Sequence, residues 1–159
     1  MSDPAARIEE LKTSLRLQPH VEGGHYHRFH PPKGADSAGV RQAMSAIHYL
    51  LEAGQCSSWH RVDAEEAWHF VEGDPLELLI YQEEQRSLRR HCLGPLAENV
   101  DTTVIVPAGA WQAARPLGRY ALATCVVAPA FVYAGFEMLA EDAPLARHLA
   151  GLAPEISAA

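Results

Sequence analysis

Residues 59–81 read WHRVDAEEAWHFVEGDPLELLIY, and this stretch decides the fold. Because successive side chains of a strand point to opposite faces, its alternation places Glu66 and Trp68 on one face of a strand. A short turn at Asp63 would lead into it from a preceding strand that carries His60 on the matching side. The stretch therefore predicts two neighbouring strands that direct His60 and Glu66 into the same space.

The same two-residue period recurs along most of the chain. Its apolar runs are short and are punctuated by the 11 glycines and 11 prolines, a pattern typical of strands joined by tight turns. Strands are predicted at 25–30, 44–52, 56–62, 66–72, 75–82, 87–93, 102–106, 110–115 and 119–128. So many short strands with almost no intervening helix favour a sandwich or barrel.

Helical patterns occur only near the two ends. Residues 4–16 are predicted as a short helix capped by Asp3, and a closing helix is predicted behind a cap at Asp142. Residues 31–42 are rich in proline, glycine and small polar residues, and they are predicted as a mobile surface loop. Residues 83–86 are predicted as a hairpin tip.

Composition predicts one domain that spans residues 1–159. Its 48% hydrophobic content is enough for a core, and the net charge of −7 without any basic block argues against nucleic acid as a partner. No apolar stretch is long enough to span a bilayer, and no secretion signal is recognisable. The three cysteines cannot all pair within the chain. We therefore expect a cytoplasmic protein without a membrane partner.

A second segment carries an unusual polar residue. Residues 106–115 read VPAGAWQAAR, in which a Pro-x-Gly turn precedes a strand that places Gln112 beside Ala110 and Ala114 on one face. A glutamine flanked by small alanines indicates an inward group in a pocket with spare room. The alternative is that Gln112 lies on a solvent-exposed face.

These two segments resemble the two cupin motifs. The spacing from His60 through Glu66 to Gly73 matches the first motif, although its second histidine position is occupied by Val62. The second motif, Pro-x-Gly-x-x-His, is matched except that Gln112 stands in the histidine position. Together with EGGHY at 22–26 and AIHYLL at 46–51, these segments make the chain similar to the DUF985, or cupin-5, family over nearly its whole length.

The resemblance implies an all-β fold, a double-stranded β-helix or jelly-roll barrel, with short helices at both ends. It also implies a homodimer, which agrees with the strand predicted at 119–128, since that strand is apolar on both faces. Metal-binding cupins hold Fe, Mn, Ni or Zn with three histidines and one glutamate, and two of those positions are changed here. Two alternatives stay open: no cofactor, or a divalent metal held by His60, Glu66 and Gln112, with His48 on a neighbouring strand.

The N-terminal strand supplies further candidates. Tyr26 and Arg28 share one of its faces, and in cupins that act as sugar-nucleotide epimerases a corresponding strand contacts the substrate. Trp68 shares the face of Glu66 and would close one wall of the pocket. The predicted catalytic residues are His60 and Glu66, and the predicted substrate-binding residues are Tyr26, Arg28, His48, Trp68 and Gln112.

Three functions are consistent with these residues. In the first, a metal-independent isomerase or epimerase, His60 removes a proton from a carbon next to a carbonyl and a carboxyl group such as Glu66 assists. The second is a metal-dependent oxygenase or lyase. The third is a non-enzymatic module that binds a small molecule. In each case the expected ligand is small and polar, either carbohydrate-like or anionic.

Overall fold

The computed structural model describes residues 3–32 and 39–156, and within them the chain forms two α-helices and eleven β-strands. The helices are α1 (Pro4–Ser14) and α2 (Pro144–Leu152). The strands are β1 (Gln18–Pro19), β2 (His25–His30), β3 (Ser45–Glu52), β4 (Ser57–Val62), β5 (Glu65–Gly73), β6 (Leu76–Gln82), β7 (Ser87–Leu93), β8 (Thr103–Val106), β9 (Trp111–Pro116), β10 (Tyr120–Ala128) and β11 (Phe136–Met138). A short 3-10 helix, Tyr133–Gly135, precedes β11.

The strands form two antiparallel sheets. One sheet has the order β1-β2-β3-β10-β5-β8, and the other has the order β11-β4-β9-β6-β7. All nine predicted strands are present to within about one residue at each end, which confirms the all-β prediction. The sequence did not predict β1 and β11, because strands of two or three residues are too short to show a period.

The main core lies between the two sheets. Trp68 and Cys125 project into it from the six-stranded sheet, and Leu78 and Ala114 project from the five-stranded sheet; all four are at most 1% exposed. The inward direction of Trp68 confirms the alternation inferred for residues 66–72. This packing of two sheets face to face is a jelly-roll arrangement, and it leaves the cavity described below at one end of the barrel.

Each helix covers the outer face of one sheet. From α1, Ile8 and Leu11 pack on Leu50 and Leu122, so the helix buries part of the outward apolar side of β10. The side chain of Asp3 accepts a hydrogen bond from the Ala5 amide, as the predicted cap requires. The second sheet is covered by α2.

The start of α2 differs from the sequence prediction. The residue that precedes its first turn is Ala143, and it makes no side-chain cap, so the expected cap at Asp142 is wrong. Pro144 at the first helical position already has a helical φ and needs no hydrogen-bond partner for its nitrogen, so the helix begins here without a polar cap. Leu149 then packs with Trp59 and Trp111.

The remaining loop predictions have different outcomes. Residues 83–86 form the turn between β6 and β7, as predicted. Of the loop predicted at 31–42, residues 33–38 lie outside the described part of the chain. Neither described helix has the length and apolarity needed to cross a bilayer.

Candidate functional site

A cavity of about 160 Å³ lies at one end of the barrel, between the two sheets. Four buried or half-buried histidine and glutamate side chains lie together in its lining: His20, Glu22, His60 and Glu66. They come from three places in the chain: the turn before β2, the strand β4 and the strand β5. Titratable groups seldom cluster out of contact with water unless a site needs them, so this cluster marks the candidate functional site.

One ring nitrogen of His60 is hydrogen-bonded to the backbone. Its side chain lies on β4 and the residue is 2% exposed. Its Nδ1 lies 2.7 Å from the carbonyl oxygen of Ser58, and because a carbonyl can only accept, Nδ1 carries the hydrogen. Nε2 therefore has its lone pair free when the ring is neutral. Burial lowers the pKa of His60, so the neutral form is favoured.

A bulge in β4 brings two neighbours to the same side. Ser57 pairs with Ala114 of β9 and His60 pairs with Gln112, so three residue steps on β4 span only two on β9. An extra residue of this kind breaks the strict alternation of side chains. As a result, both Ser57 and His60 reach the carboxyl group of Glu22.

Glu66 lies on β5, in the opposite sheet, and is 6% exposed. Its Oε2 accepts a 2.7 Å hydrogen bond from Nε2 of Gln112. Gln112 is completely buried, and its Oε1 accepts a 2.8 Å hydrogen bond from the indole nitrogen of Trp68. Burial raises the pKa of Glu66 to about 7, although the hydrogen bond from Gln112 works in the opposite direction.

Glu22 is the main residue of the site that sequence reasoning missed. It is 5% exposed, and its Oε2 lies 3.3 Å from Nε2 of His60. Its Oε1 accepts a 3.1 Å hydrogen bond from the hydroxyl group of Ser57. Burial raises the pKa of Glu22 to about 8. The sequence contains one signal for it: a glutamate directly before a Gly-Gly pair.

The glycine after Glu22 is what allows the turn to approach β4. Gly23 has a φ of +106°, and a Cβ at this position would overlap the carbonyl oxygen of Cys56. The Ser58 amide donates a 2.8 Å hydrogen bond to the carbonyl oxygen of Glu22, which ties the turn to the strand. The close contact of turn and strand places the Glu22 carboxyl beside His60.

His20 completes the cluster. Its Nδ1 accepts a 3.1 Å hydrogen bond from the Glu22 amide, so its ring hydrogen must be on Nε2 when the ring is neutral. Its ring packs edge-on against Tyr26, with the centroids 4.4 Å apart. Burial lowers the pKa of His20 to about 4, so this ring is neutral at physiological pH.

Aromatic side chains form the outer part of the cavity. Phe131, Tyr133 and Phe136 follow β10, and their ring centroids are 5.1 to 6.3 Å apart in edge-on pairs. The cavity reaches the surface beside Tyr133, which is 72% exposed. The segment is anchored where the Phe131 amide donates a 2.8 Å hydrogen bond to the hydroxyl group of Ser45.

The model of DUF985, a family of the cupin superfamily, matches residues 9–139. The chain belongs to this family. Two solved structures resemble it over almost their whole length. The protein SO0799 from Shewanella oneidensis is 29% identical with a TM-score of 0.82, covering 94% of this chain and 96% of that one. A hypothetical protein from Leishmania major is 26% identical with a TM-score of 0.71, covering 92% of each chain.

More distant structural similarity shows the fold alone. Oxalate decarboxylase from Bacillus subtilis is 13% identical with a TM-score of 0.61, and the match covers 84% of this chain but 33% of the enzyme. The comparison with curated proteins finds no match.

The cupin barrel brings most of the predicted residues to one place. Tyr26, Arg28, His60 and Glu66 line the cavity. Trp68 and Gln112 do not line it and instead stand behind Glu66, where they hold its carboxyl group.

The prediction that His48 belongs to the pocket is corrected by its position on β3. Its neighbour Ile47 lines the cavity, and alternation along the strand turns His48 to the opposite face. There its ring packs against Phe29, with the centroids 4.4 Å apart. Burial is the main reason that the pKa of His48 is lowered.

The residues of this cupin do not fit the metal site of the superfamily. Val62 lines the cavity in the second histidine position and has no donor atom. Both polar atoms of the Gln112 side chain already form hydrogen bonds, Nε2 with Glu66 and Oε1 with Trp68. Among the residues that the structure describes, no three His, Cys, Asp or Glu side chains are arranged to hold a metal ion. A divalent cation usually needs at least three protein ligands.

Proposed function

We propose that this cupin binds a small polar molecule in the barrel cavity and acts on it as a metal-independent isomerase or epimerase. The observation that carries the proposal is the position of His60 and Glu66, which line one cavity from facing sheets and are both almost fully buried. A neutral imidazole and a carboxyl group with a pKa of about 7 are suited to exchange protons near neutral pH.

The proposed reaction moves a proton within the substrate. Nε2 of His60 accepts the proton from a carbon next to a carbonyl group, and the electron pair of the broken C–H bond delocalises onto the carbonyl oxygen. Glu66 in its protonated form donates a hydrogen bond or a proton to that oxygen. Return of a proton to carbon completes the isomerisation without net gain or loss of atoms or electrons, so no further reactant is needed.

The size of the cavity limits the ligand. An engineered cavity of about 150 Å³ accepts benzene, and the present cavity measures about 160 Å³. One small ring or a short carbon chain would therefore fill its buried part, and any larger group would extend past Tyr133. Arg28 lines the same cavity and favours an anionic group on the ligand, such as a carboxylate or phosphate.

Hydrogen exchange tests the proposal directly. The purified protein is analysed by native mass spectrometry, and any molecule that co-purifies becomes the first probe. Glucose 6-phosphate, fructose 6-phosphate and glucuronate are the further probes. Each is incubated in D2O with the wild type, with His60→Gln or with Glu66→Gln, and the loss of carbon-bound hydrogen next to the carbonyl is followed by proton NMR.

The outcomes separate the three functions. We expect exchange in at least one probe with the wild type and a loss of roughly 100-fold or more with His60→Gln, the size typical of a removed general base. A probe that binds to the wild type without exchange would instead support a non-enzymatic binding module. Exchange that requires added Fe, Mn, Ni or Zn would support the metal-dependent alternative.

We further propose that the protein is a cytoplasmic homodimer. The outer face of the six-stranded sheet beyond α1 carries a row of apolar side chains at paired positions of three strands, Val126, Ala67 and Ile105, of which Ile105 is 54% exposed. Pairing with a second copy would cover this row. None of the three cysteines forms a disulfide in the structure, which supports a reducing compartment. Light scattering that gives a monomer at micromolar concentration would contradict the dimer.

A further inference from the structure

The hydrogen bonds of His60 leave one of its nitrogens facing a carboxyl group. Nδ1 donates to the Ser58 carbonyl, so Nε2 carries no hydrogen in the neutral ring. The nearest charged neighbour of Nε2 is Oε2 of Glu22, at 3.3 Å. Two bare lone pairs at this distance in a buried site would repel each other. A hydrogen is therefore required between the two atoms, on one side or the other.

The other contacts of Glu22 fix which oxygen faces the histidine. Oε1 accepts the hydrogen bond from the Ser57 hydroxyl group at 3.1 Å, which leaves Oε2 for His60. The backbone of Glu22 is held as well. Its amide donates a hydrogen bond to Nδ1 of His20, and its carbonyl oxygen accepts one from the Ser58 amide. The side chain thus has little freedom to turn away from His60.

Glu66 is held by a different set of partners. Its carboxyl group accepts from Gln112, and neither Ser57 nor Ser58 contributes to its hydrogen bonds. It is also on the six-stranded sheet, whereas His60 is on the five-stranded sheet. The cavity therefore contains two carboxyl groups with separate supports, and only that of Glu22 is placed against Nε2 of His60.

We propose that Glu22 and His60 share one proton and act as a single acid/base pair, and that Glu66 is a second, separately held acid/base group. Burial favours the uncharged form of the pair, in which the proton is on Oε2 of Glu22 and Nε2 of His60 accepts the hydrogen bond. Burial raises the pKa of Glu22 and lowers that of His60, and both shifts favour this uncharged form. Glu22 is thus a positioning residue that sets the protonation state of His60.

This arrangement extends the proposed function, and its catalytic use rests on that function. In the uncharged pair Nε2 already accepts the hydrogen of Glu22, so His60 can take a substrate proton only in the form of the site from which that shared proton has been lost. The Glu22 carboxylate then stabilises the imidazolium ion that results. Glu66 stays available to donate to the substrate, since its own proton is not part of the pair. The sharing of a proton by Glu22 and His60 is, however, a property of the free protein. It can be tested without any substrate.

The test is a pH titration by NMR of protein with 15N-labelled histidine. The His60 signals are assigned by their absence in His60→Gln. In the wild type we expect neutral His60 with its hydrogen on Nδ1, and a step in the Nε2 chemical shift near pH 8, where Glu22 loses the shared proton. In Glu22→Gln the hydrogen stays on Nδ1, because Ser58 still accepts it, but the step near pH 8 disappears since an amide does not titrate. The charge of Glu66 also acts on His60, so a smaller change near pH 7 is expected to remain there and to be absent from Glu66→Gln.

Two further variants identify the group responsible. Glu65→Gln removes an exposed carboxyl group next to Glu66 in the chain and should leave the step unchanged. Ser57→Ala removes the hydrogen bond that stabilises the Glu22 carboxylate, so the step should move to higher pH. This second variant keeps the test decisive if Glu22→Gln fails to fold.

Several results would overturn the proposal. These are a step near pH 8 that survives Glu22→Gln, a step near pH 8 that is lost instead in Glu66→Gln, or a neutral His60 with its hydrogen on Nε2. None of them depends on turnover. If the titration agrees with expectation but no probe exchanges hydrogen, the proton pair stands and the proposed isomerase activity is wrong.

Discussion

Gln112 donates a 2.7 Å hydrogen bond to Glu66 although 46 residues separate them in the chain, and this bond joins the two sheets. The other end of the same amide accepts from Trp68 at 2.8 Å, which fixes the orientation of the amide group. The glutamine that replaces the usual cupin histidine is therefore a structural partner of Glu66 and is fully occupied in that role.

Replacing Gln112 with alanine should destabilise the protein. Glu66 and the Trp68 indole would each lose a buried partner, and an unsatisfied buried polar group costs about 1–3 kcal/mol. We expect the free energy of unfolding in urea to fall by about 2–5 kcal/mol. Gln18→Ala, on the exposed strand β1, is the control and should change it by less than about 0.5 kcal/mol. A Gln112→Ala variant as stable as this control would show that the bond contributes little.

Restoring the cupin ligands should create a metal site. A variant with both Val62→His and Gln112→His would place three histidines around Glu66, since His60 and Val62 line the cavity with Glu66 and the Gln112 side chain contacts the Glu66 carboxyl group. We expect this double variant to retain about one equivalent of Mn, Fe, Ni or Zn by elemental analysis, and the wild type less than roughly a tenth of an equivalent. A wild type that retains a full equivalent would contradict the ligand argument made for Val62 and Gln112.

The free energy of unfolding should fall as pH rises from about 6.5 to about 8. The pKa of Glu66 is about 7 and that of Glu22 about 8 in the folded chain, against 4.5 for an unperturbed glutamate. The folded protein therefore binds more protons than the unfolded chain, and the stability present at low pH is lost as pH rises through the folded values. Each carboxyl group contributes a slope of at most about 1.4 kcal/mol per pH unit.

Below about pH 6.5 the two buried histidines act in the opposite sense. Burial lowers the pKa of His20 to about 4 and lowers that of His60 below its usual 6.5, so the unfolded chain binds these protons more strongly and the contribution of the histidines to stability rises with pH. The two carboxyl groups lower stability from about pH 4.5 upward, so the opposing contributions largely offset each other up to about pH 6.5 and the net fall appears above it. Urea unfolding from about pH 5 to about pH 9 measures both effects. Glu22→Gln should flatten the fall at the alkaline end, and an unchanged fall in both Glu22→Gln and Glu66→Gln would contradict the assignment.

The turn that carries Glu22 should tolerate no side chain at Gly23. A Cβ there would overlap the Cys56 carbonyl oxygen, so Gly23→Ala should displace the turn from β4 and cost more than about 3 kcal/mol of folding free energy. Gly54 is a matched control, since its φ is also positive at +82° but nothing lies within 4 Å of the added Cβ. Gly54→Ala should cost only about 1–2 kcal/mol. Equal losses in the two variants would show that backbone conformation, and not the contact with Cys56, is the cause.

Two of the four histidine and glutamate residues at the site, His60 and Glu66, could be predicted from local sequence patterns. The alternation around Trp68 places Glu66 inward, and the cupin spacing selects His60; both side chains line the cavity. The same reasoning did not exclude His48, because two residues on adjacent positions of a strand are equally plausible until the inner face is known. The sheet pairing makes Ile47 the inward residue and directs His48 away.

The sequence by itself determined nine of the eleven described strands, the two helices and the inward positions of His60 and Glu66, because these depend on local periodicity and on motif spacing. Only the tertiary structure decided the partners: Gln112 with Glu66, and Glu22 with His60. Glu22 lies in a turn, which has no period, and its place is set by how closely that turn can approach β4. That approach depends on contacts between segments that are distant in the chain, and no local pattern contains them.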